Sequence, residues 1–296
     1  MNAPSVSDTE LRFDFNETLE QARARNIRDA LLEDVGRGDW TAQLLPAGRR
    51  VEAQLRVREA AVLCGRDWFD GVAQAVEPTT RVQWRYDEGA DLAADSVVCS
   101  LEGNARALLT TERTAMNFLQ LLSGVATATR AHVRAIAGAS PNPRGCAVLD
   151  TRKTLPGLRQ AQKYAVRVGG GANQRLALWD GILIKENHIA AAGGVAQALR
   201  RAQALNAGVE IQIEVETLDQ LREALAHGAR SVLLDNFDLA RMREAVALAQ
   251  GRALLEASGG LGLDQLRAVA ATGVDRISVG KLTKDVRAID YSMRVI

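Results

Sequence analysis

Four cations in the C-terminal half of the chain stand close to apolar, strand-like segments. Arg152 and Lys153 directly follow one such segment, Lys185 ends another, and Arg175 lies between them after a run of three glycines. Arginine can hold a carboxylate through two parallel hydrogen bonds, and lysine adds a compact charge. Because a lysine after the apolar run 182–184 is costly to bury alone, we expect Lys185 to face a charged partner or ligand. Together the four residues predict a site for an anionic substrate.

Acidic residues and glycine-rich turns follow the neighbouring apolar segments. Glu214 and Asp235 offer the oxygen ligands that suit Mg²⁺ or a sugar diol. Two turns can bind a phosphate through backbone N–H groups. Their residues are Ser258, Gly259 and Gly260 in the first, and Ser278, Val279 and Gly280 in the second. A purely structural alternative stays open here, because the acids can pair with the cations and glycine pairs are common in loops.

These residues end the strands of a regular strand–helix alternation. Apolar strands are predicted at 146–149, 182–184, 211–215, 231–234, 253–255 and 276–279, and helices separate them. Such a pattern is typical of a parallel sheet with both faces covered. Six repeats favour an incomplete, open α/β barrel, with a doubly wound sheet as the alternative. In a parallel barrel the carboxyl ends of the strands form one mouth, where we expect the charged residues to converge.

The N-terminal half has a different pattern. Helix-like segments are predicted at 19–32, 67–76, 105–122 and 127–137, and short strands at 51–57, 60–64, 81–86 and 96–101. This mixture predicts a small α+β layer. Residues 138–143 are rich in Gly, Pro and Ser and read as a linker. We therefore divide the chain into residues 1–138 and residues 139–296.

Composition narrows the class of protein. Lys plus Arg total 37 against 36 Asp plus Glu, and aromatics are 4%, which argues against a nucleic-acid surface or an anionic membrane as partner. Three scattered cysteines suit a reducing compartment, and the histidines show no metal-ligand spacing. No signal peptide or membrane-spanning run is visible, so a cytoplasmic protein is expected.

The longest run of characteristic residues, 151–189, resembles quinolinate phosphoribosyltransferase. Further agreement is found at 112–117, 210–215, 234–236, 256–260 and 277–280, so the resemblance covers essentially the whole chain. It implies an N-terminal α/β sandwich domain and a C-terminal incomplete parallel α/β barrel. It also implies a homodimer in which the N-terminal domain of one subunit covers the barrel mouth of the other.

The resemblance assigns roles to the residues of the site. Quinolinate and its carboxylates are assigned to Arg113, Arg152, Lys153, Arg175 and Lys185, with Arg113 donated by the partner subunit, and Thr151 is a further substrate-binding residue. Glu214 and Asp235 serve the ribose and the Mg²⁺ of phosphoribosyl pyrophosphate, the two turns serve its 5′-phosphate, and Lys153, Lys185, Glu214 and Asp235 are the expected catalytic residues. Two positions depart from the family pattern: Gln174 stands where several members carry His, and Lys281 replaces a residue that is often small.

The implied reaction joins quinolinate to phosphoribosyl pyrophosphate and releases pyrophosphate and CO₂, giving nicotinate mononucleotide for NAD biosynthesis. It needs no protein nucleophile, since positioning and charge compensation can carry it. Three alternatives are weighed against it: a related phosphoribosyltransferase with another acceptor, such as those associated with molybdate transport; a Schiff-base aldolase using Lys185; and a non-catalytic anion-binding protein.

Overall fold

The computed structural model describes residues 16–296, and its first element is a well-capped helix. Helix α1 (Leu19–Asp34) begins after Thr18, whose side chain accepts the backbone N–H of Gln21. The Gln21 side chain accepts the backbone N–H of Thr18 in return. This capping box satisfies two donors that would otherwise lack partners. A short 3-10 helix (Ala42–Leu44) then leads into the first sheet.

An antiparallel sheet of four strands forms the N-terminal layer. In spatial order its strands are β12 (Tyr291–Val295), β1 (Arg50–Val57), β5 (Val97–Asn104) and β3 (Arg81–Trp84). A second, two-stranded sheet pairs β2 (Ala61–Val62) with β4 (Asp91–Leu92), and helix α2 (Arg66–Val76) follows β2. Alternating burial along β1 shows that one face of the first sheet packs on the core.

Strand β12 comes from the far end of the chain. It pairs antiparallel with β1, with Ala53 opposite Val295. We expected no strand after residue 279, so this element is a correction to the predicted pattern. The division of the chain at residue 138 stays a prediction, but residues 291–295 add to the sheet of the N-terminal part.

Helix α3 (Ala105–Ile136) links the two parts as one continuous helix of 32 residues. The predicted break between residues 122 and 127 is wrong. Gly124 lies in its interior, where a Cβ atom would stand 2.2 Å from the carbonyl oxygen of Arg287. The glycine lowers helix propensity by about 1 kcal/mol, but it lets the segment before β12 cross α3 closely. Packing therefore decides the conformation at this position.

The C-terminal part is an open parallel barrel, as the alternation predicts. Its strands are β6 (Ala147–Leu149), β7 (Gly181–Ile184), β8 (Glu210–Val215), β9 (Ser231–Asp235), β10 (Leu254–Ser258) and β11 (Arg276–Ser278), in the spatial order β6-β11-β10-β9-β8-β7. The helices are α4 (Arg159–Val168), α5 (Glu186–Ala192), α6 (Val195–Ala204), α7 (Leu218–Ala226), α8 (Leu239–Ala249), α9 (Leu266–Ala270) and α10 (Lys281–Lys284). The short helices α5 and α10 were not predicted. The fold class is confirmed.

None of the helices in residues 16–296 is long and apolar enough to cross a membrane.

Candidate active site

Strand register places one set of side chains on the inner face of the barrel. Side chains alternate between the faces of a strand, so residues level with one another in neighbouring strands point the same way. Glu214 on β8 is level with Leu233 on β9, which is level with Glu256 on β10. On β7, Ile184 is level with Ile213, so the next residue, Lys185, falls beside Glu214.

A cavity of about 160 Å³ opens at the carboxyl ends of these strands. It brings together cations, acids and hydroxyls that were predicted separately from the sequence. The lining residues are Thr151, Arg152, Lys153, Gln174, Arg175, Leu183, Lys185, Glu214, Leu233, Glu256, Ser258 and Ser278. The expected convergence on one mouth is therefore found for all four predicted cations and for the first residue of each glycine-rich turn.

Two arginines crowd one another at this mouth. Burial lowers the pKa of Arg175, and the charge of Arg152 lowers it further. The pKa of Arg159, at the start of α4, is lowered by the same two causes in the same order. The Nε of Arg152 is buried and has no hydrogen-bond partner among the described residues. Guanidinium groups that repel one another, one of them with an unpartnered nitrogen, favour an anion that would bridge them.

Lys185 and Glu214 form an ion pair in the cavity, as expected for a lysine that follows an apolar strand. The Lys185 Nζ lies 3.1 Å from a carboxylate oxygen of Glu214, and the two side chains are 46% and 12% exposed. Lys185 thus has the expected charged partner, but with nearly half of its side chain exposed it is not a buried charge. Its backbone N–H donates to Nδ1 of His188, which fixes the start of α5.

A segment after α4 closes the gap between the edge strands β6 and β7. Ala172 forms a parallel bridge with Leu149 of β6. The guanidinium of Arg175 donates to the carbonyl of Gly181 on β7 at 2.9 Å. The side chain of Gln174 donates to Gln212 on β8 at 2.9 Å. Residues 172–175 therefore complete the barrel wall and deliver Arg175 to the mouth.

This closing segment is anchored by a buried ion pair. Lys163 of α4 donates to Asp150, which directly follows β6, and both side chains are at most 2% exposed. Asp150 also accepts from the Asn173 side chain at 2.6 Å and from the Gln174 backbone N–H at 3.0 Å. Lys163 donates in addition to the Gln174 carbonyl at 2.8 Å. One carboxylate thus fixes the strand end before Thr151 and the segment before Arg175.

The two glycine-rich turns have tight backbones. Gly259 has φ +116°, and a Cβ atom there would lie 2.3 Å from the Asn236 side chain, so only glycine fits. Gly280 packs against Lys153, with a Cβ position 3.1 Å from Cδ of the lysine. The Val279 backbone N–H already donates to the Leu149 carbonyl at 2.9 Å. The second turn is therefore bound to β6 as well as positioned at the cavity.

Asp235 and Arg113 lie outside the cavity lining. Asp235 is level with Ser258, points to the same face as Glu214, and accepts a hydrogen bond from Asn236 at 3.0 Å. Arg113 is exposed on α3. No group of three or more His, Cys, Asp or Glu suited to a metal occurs within residues 16–296. Glu214 and Asp235 on adjacent strands fit a Mg²⁺ whose remaining ligands are substrate or water oxygens, the coordination this ion prefers.

A larger cleft, of about 540 Å³, opens at the amino ends of the strands between β6 and β7. It shares Gln174 and Arg175 with the mouth, but its floor is formed by the first residues of strands, such as Gly181 and Glu210. This cleft lies below the closing segment, where β6 and β7 are not paired with each other. Functional residues of parallel barrels gather at the opposite end, so the smaller cavity is the candidate site.

The sequence interpretation missed the polar layer beneath the mouth. Gln212 is 3% exposed and donates to Glu256, which is 1% exposed, at 2.9 Å. Burial is the largest influence on the pKa of Glu256 and raises it, while the hydrogen bond from Gln212, the nearby Ser278 hydroxyl and the charge of Arg276 lower it. The signal was present in β8, where Glu, Gln and Glu alternate with Ile, Ile and Val. Such alternation indicates a polar inner face.

Comparisons with known proteins agree with this geometry. Models of the N-terminal and C-terminal domains of quinolinate phosphoribosyl transferase match residues 39–123 and 125–294. The nicotinate-nucleotide pyrophosphorylase [carboxylating] of Mycobacterium leprae is 44% identical over 274 residues, covering 90% of this chain and 95% of that protein. The chloroplastic protein of the same name from Arabidopsis thaliana is 34% identical over 290 residues, covering 91% and 81%. The structure of the nicotinate-nucleotide pyrophosphorylase from Francisella tularensis is similar with a TM-score of 0.89 and 41% identity, over 95% of this chain and 98% of that one. The chain belongs to the quinolinate phosphoribosyltransferase family.

Proposed function

We propose that this protein transfers the phosphoribosyl group of phosphoribosyl pyrophosphate to quinolinate and releases pyrophosphate and CO₂. The product is nicotinate mononucleotide, a precursor of NAD. The observation that carries the proposal is the cavity at the barrel mouth, which gathers Arg152, Lys153, Arg175 and Lys185 in a chain of net charge +1. A neutral protein that concentrates cations at one point is built for an anionic ligand.

Quinolinate binding follows from the arginines. Its two carboxylates would occupy the space beside Arg152 and Arg175, where they would relieve the repulsion between the guanidinium groups and engage the free Nε of Arg152. The ring nitrogen then attacks the anomeric carbon as pyrophosphate leaves. Lys153 and Lys185 compensate charge on the carboxylates and the leaving group, which is the dominant way a preorganised site stabilises such a transition state.

The acids and the turns are assigned to phosphoribosyl pyrophosphate. Glu214 and Asp235 would hold the ribose hydroxyls and a Mg²⁺, which when bound neutralises pyrophosphate oxygens. The turns that begin at Ser258 and Ser278 would receive the 5′-phosphate through hydroxyls and backbone N–H groups. Glycine at 259 keeps the first turn close to Asn236, next to Asp235. The two ends of the sugar phosphate are thus recognised by adjacent strands.

A homodimer with a shared site is part of the proposal. Arg113 is exposed on α3 and does not line the cavity of its own chain. In a dimer it would reach the mouth of the partner subunit and add a cation there. Large exposed apolar side chains in the N-terminal part, Trp40 at 74% and Leu44 at 83%, are consistent with a surface that a second copy covers. A cytoplasmic location remains a prediction from composition.

Calorimetry of quinolinate binding tests the assignment of the site. Arg175→Ala should weaken binding roughly ten- to a hundredfold, because a charge-assisted contact contributes about 1.5–3 kcal/mol. Arg222→Ala is the matched control, since that arginine lies on α7 in a surface pair with Asp219. Equal affinities of both variants and the wild-type protein would contradict the proposed quinolinate site.

A further inference from the structure

Two residues that line the candidate cavity each have a buried polar atom without a hydrogen-bond partner within residues 16–296. Among the described residues, five buried side-chain nitrogen or oxygen atoms lack a hydrogen-bond partner, and two of them belong to residues that line this cavity. One is the Nε of Arg152, which the carboxylates of the substrate can engage. The other is Oε1 of Glu256, in a side chain that is 1% exposed. A buried carboxyl oxygen without a partner is costly unless a ligand or a proton satisfies it.

The orientation of the Glu256 carboxyl group is fixed from one side. Gln174 donates its amide to the Gln212 side-chain oxygen at 2.9 Å, which turns the Gln212 amide toward Glu256. Gln212 then donates to Oε2 of Glu256, also at 2.9 Å. Because Oε2 accepts the last hydrogen bond of this series, a proton on the Glu256 carboxyl group belongs on Oε1, the oxygen without a partner.

The surroundings of Glu256 disfavour its charged form through burial. Strand neighbours of Glu256 are Leu233 on one side and Arg276 on the other, and Arg276 is itself paired with Glu210 at 3.1 Å. Burial is the largest influence on the carboxyl group, and it raises the pKa of Glu256. Glu214, the other acid of the lining, is instead paired with Lys185. Among the described residues, the cavity lining therefore holds one acid in an ion pair and one buried acid with an unpartnered oxygen, the position where a proton donor would carry its proton.

The reaction needs such a donor, an argument that rests on the proposed function. When quinolinate has been joined to the ribose, its C2 carboxyl group leaves as CO₂ and is replaced by hydrogen. We propose that Glu256 supplies this hydrogen as a proton from Oε1. The bond between C2 and the carboxyl carbon breaks, CO₂ departs, and the electron pair remains on C2. That pair takes the proton of Glu256, which becomes a carboxylate and recovers a proton from solvent before the next turnover.

The test separates the two halves of the reaction. Pyrophosphate release reports phosphoribosyl transfer, and ¹⁴CO₂ released from quinolinate labelled in its C2 carboxyl group reports the second half. Glu256→Gln keeps the shape and the contact with Gln212 but removes the acidic proton. We expect CO₂ release to fall about a hundredfold more than pyrophosphate release, the usual size of a general acid contribution. The ribonucleotide that still carries both carboxylates should accumulate on quenching.

Glu244→Gln is the matched control, because it makes the same change at an exposed position of α8, away from the cavity. It should keep the two products equal. If Glu256→Gln does not fold, Glu256→Asp gives the same test, because its side chain is one methylene shorter and holds the carboxyl group farther from the substrate. An unchanged ratio of CO₂ to pyrophosphate in either variant overturns the role of Glu256 alone, whereas a wild-type protein that forms neither product refutes the proposed function and this step with it.

Discussion

Replacing Lys163 by Met should weaken both the barrel and the substrate site. The change leaves Asp150 buried with its two amide donors, Asn173 and Gln174, but without a counter-ion. Breaking a buried ion pair from one side costs about 3–5 kcal/mol. For a domain of this size, such a loss of unfolding free energy lowers Tm by on the order of 10 °C. Quinolinate binding should weaken as well, because the Gln174 carbonyl loses the hydrogen bond that Lys163 donates to it.

The loss should depend on pH in a defined direction. Burial already raises the pKa of Asp150, and burial also lowers the pKa of Lys163. Without the lysine, Asp150 must bind a proton when the variant folds. A raised folded-state pKa gives stability that is present below the unfolded pKa, about 3.9, and is lost as pH rises through the folded value. The deficit should therefore shrink by up to about 1.4 kcal/mol for each unit of acidification from neutrality.

Thermal unfolding at several pH values between 5 and 8 measures this deficit. The double variant Lys163→Met with Asp150→Asn removes the stranded charge, so it should recover most of the lost stability and lose the pH dependence. Arg222→Met, which breaks the surface pair with Asp219, should change stability by less than about 1 kcal/mol. A small, pH-independent loss in the Lys163 variant would refute the idea that this ion pair anchors the closing segment.

The remaining predictions concern the dimer, the metal and the second turn. Arg113→Ala and Arg152→Ala homodimers should be nearly inactive. Subunit exchange between them should restore about a quarter of wild-type activity, because half of the dimers are mixed and each mixed dimer has one intact site of two. If native mass spectrometry verifies mixing and no activity returns, a shared site is excluded. Glu214→Ala should raise the KM for phosphoribosyl pyrophosphate and its Mg²⁺ requirement much more than it weakens quinolinate binding measured by calorimetry, and equal effects would contradict this division of roles. Gly280→Ala should displace the side chain of Lys153 and lower kcat/KM while changing Tm by only about 1 °C; unchanged kinetics would show that the contact is not needed.

The sequence predicts the barrel and most of its mouth because both depend on local patterns. Strand–helix alternation identifies a parallel sheet, and the rule that strand ends form one face then brings Lys185 to Glu214 without any knowledge of distances. The structure adds the register, in which Ile184 is level with Ile213, so that the next residues, Lys185 and Glu214, lie side by side. The roles of the individual site residues stay predictions until variants are measured.

Elements that depend on distant partners could not be predicted in this way. Strand β12 exists because β1, more than 200 residues earlier, offers an edge to pair with. Helix α3 continues through Gly124 because the segment at Arg287 crosses it there. Glu256 was visible at the end of an apolar segment, but its importance depends on Gln212, which belongs to a different strand. Only the folded barrel shows that the two residues form one buried layer.

Product analysis tests the central claim most directly. The wild-type protein is incubated with Mg²⁺, phosphoribosyl pyrophosphate and, in separate reactions, quinolinate, nicotinate and other pyridine carboxylic acids, and the products are separated by chromatography. The proposed function predicts nicotinate mononucleotide, pyrophosphate and CO₂ in equal amounts from quinolinate, and much slower turnover with acids that lack one of its two carboxylates. A ribonucleotide formed from another acceptor but not from quinolinate, or no pyrophosphate release with any acceptor, would contradict it.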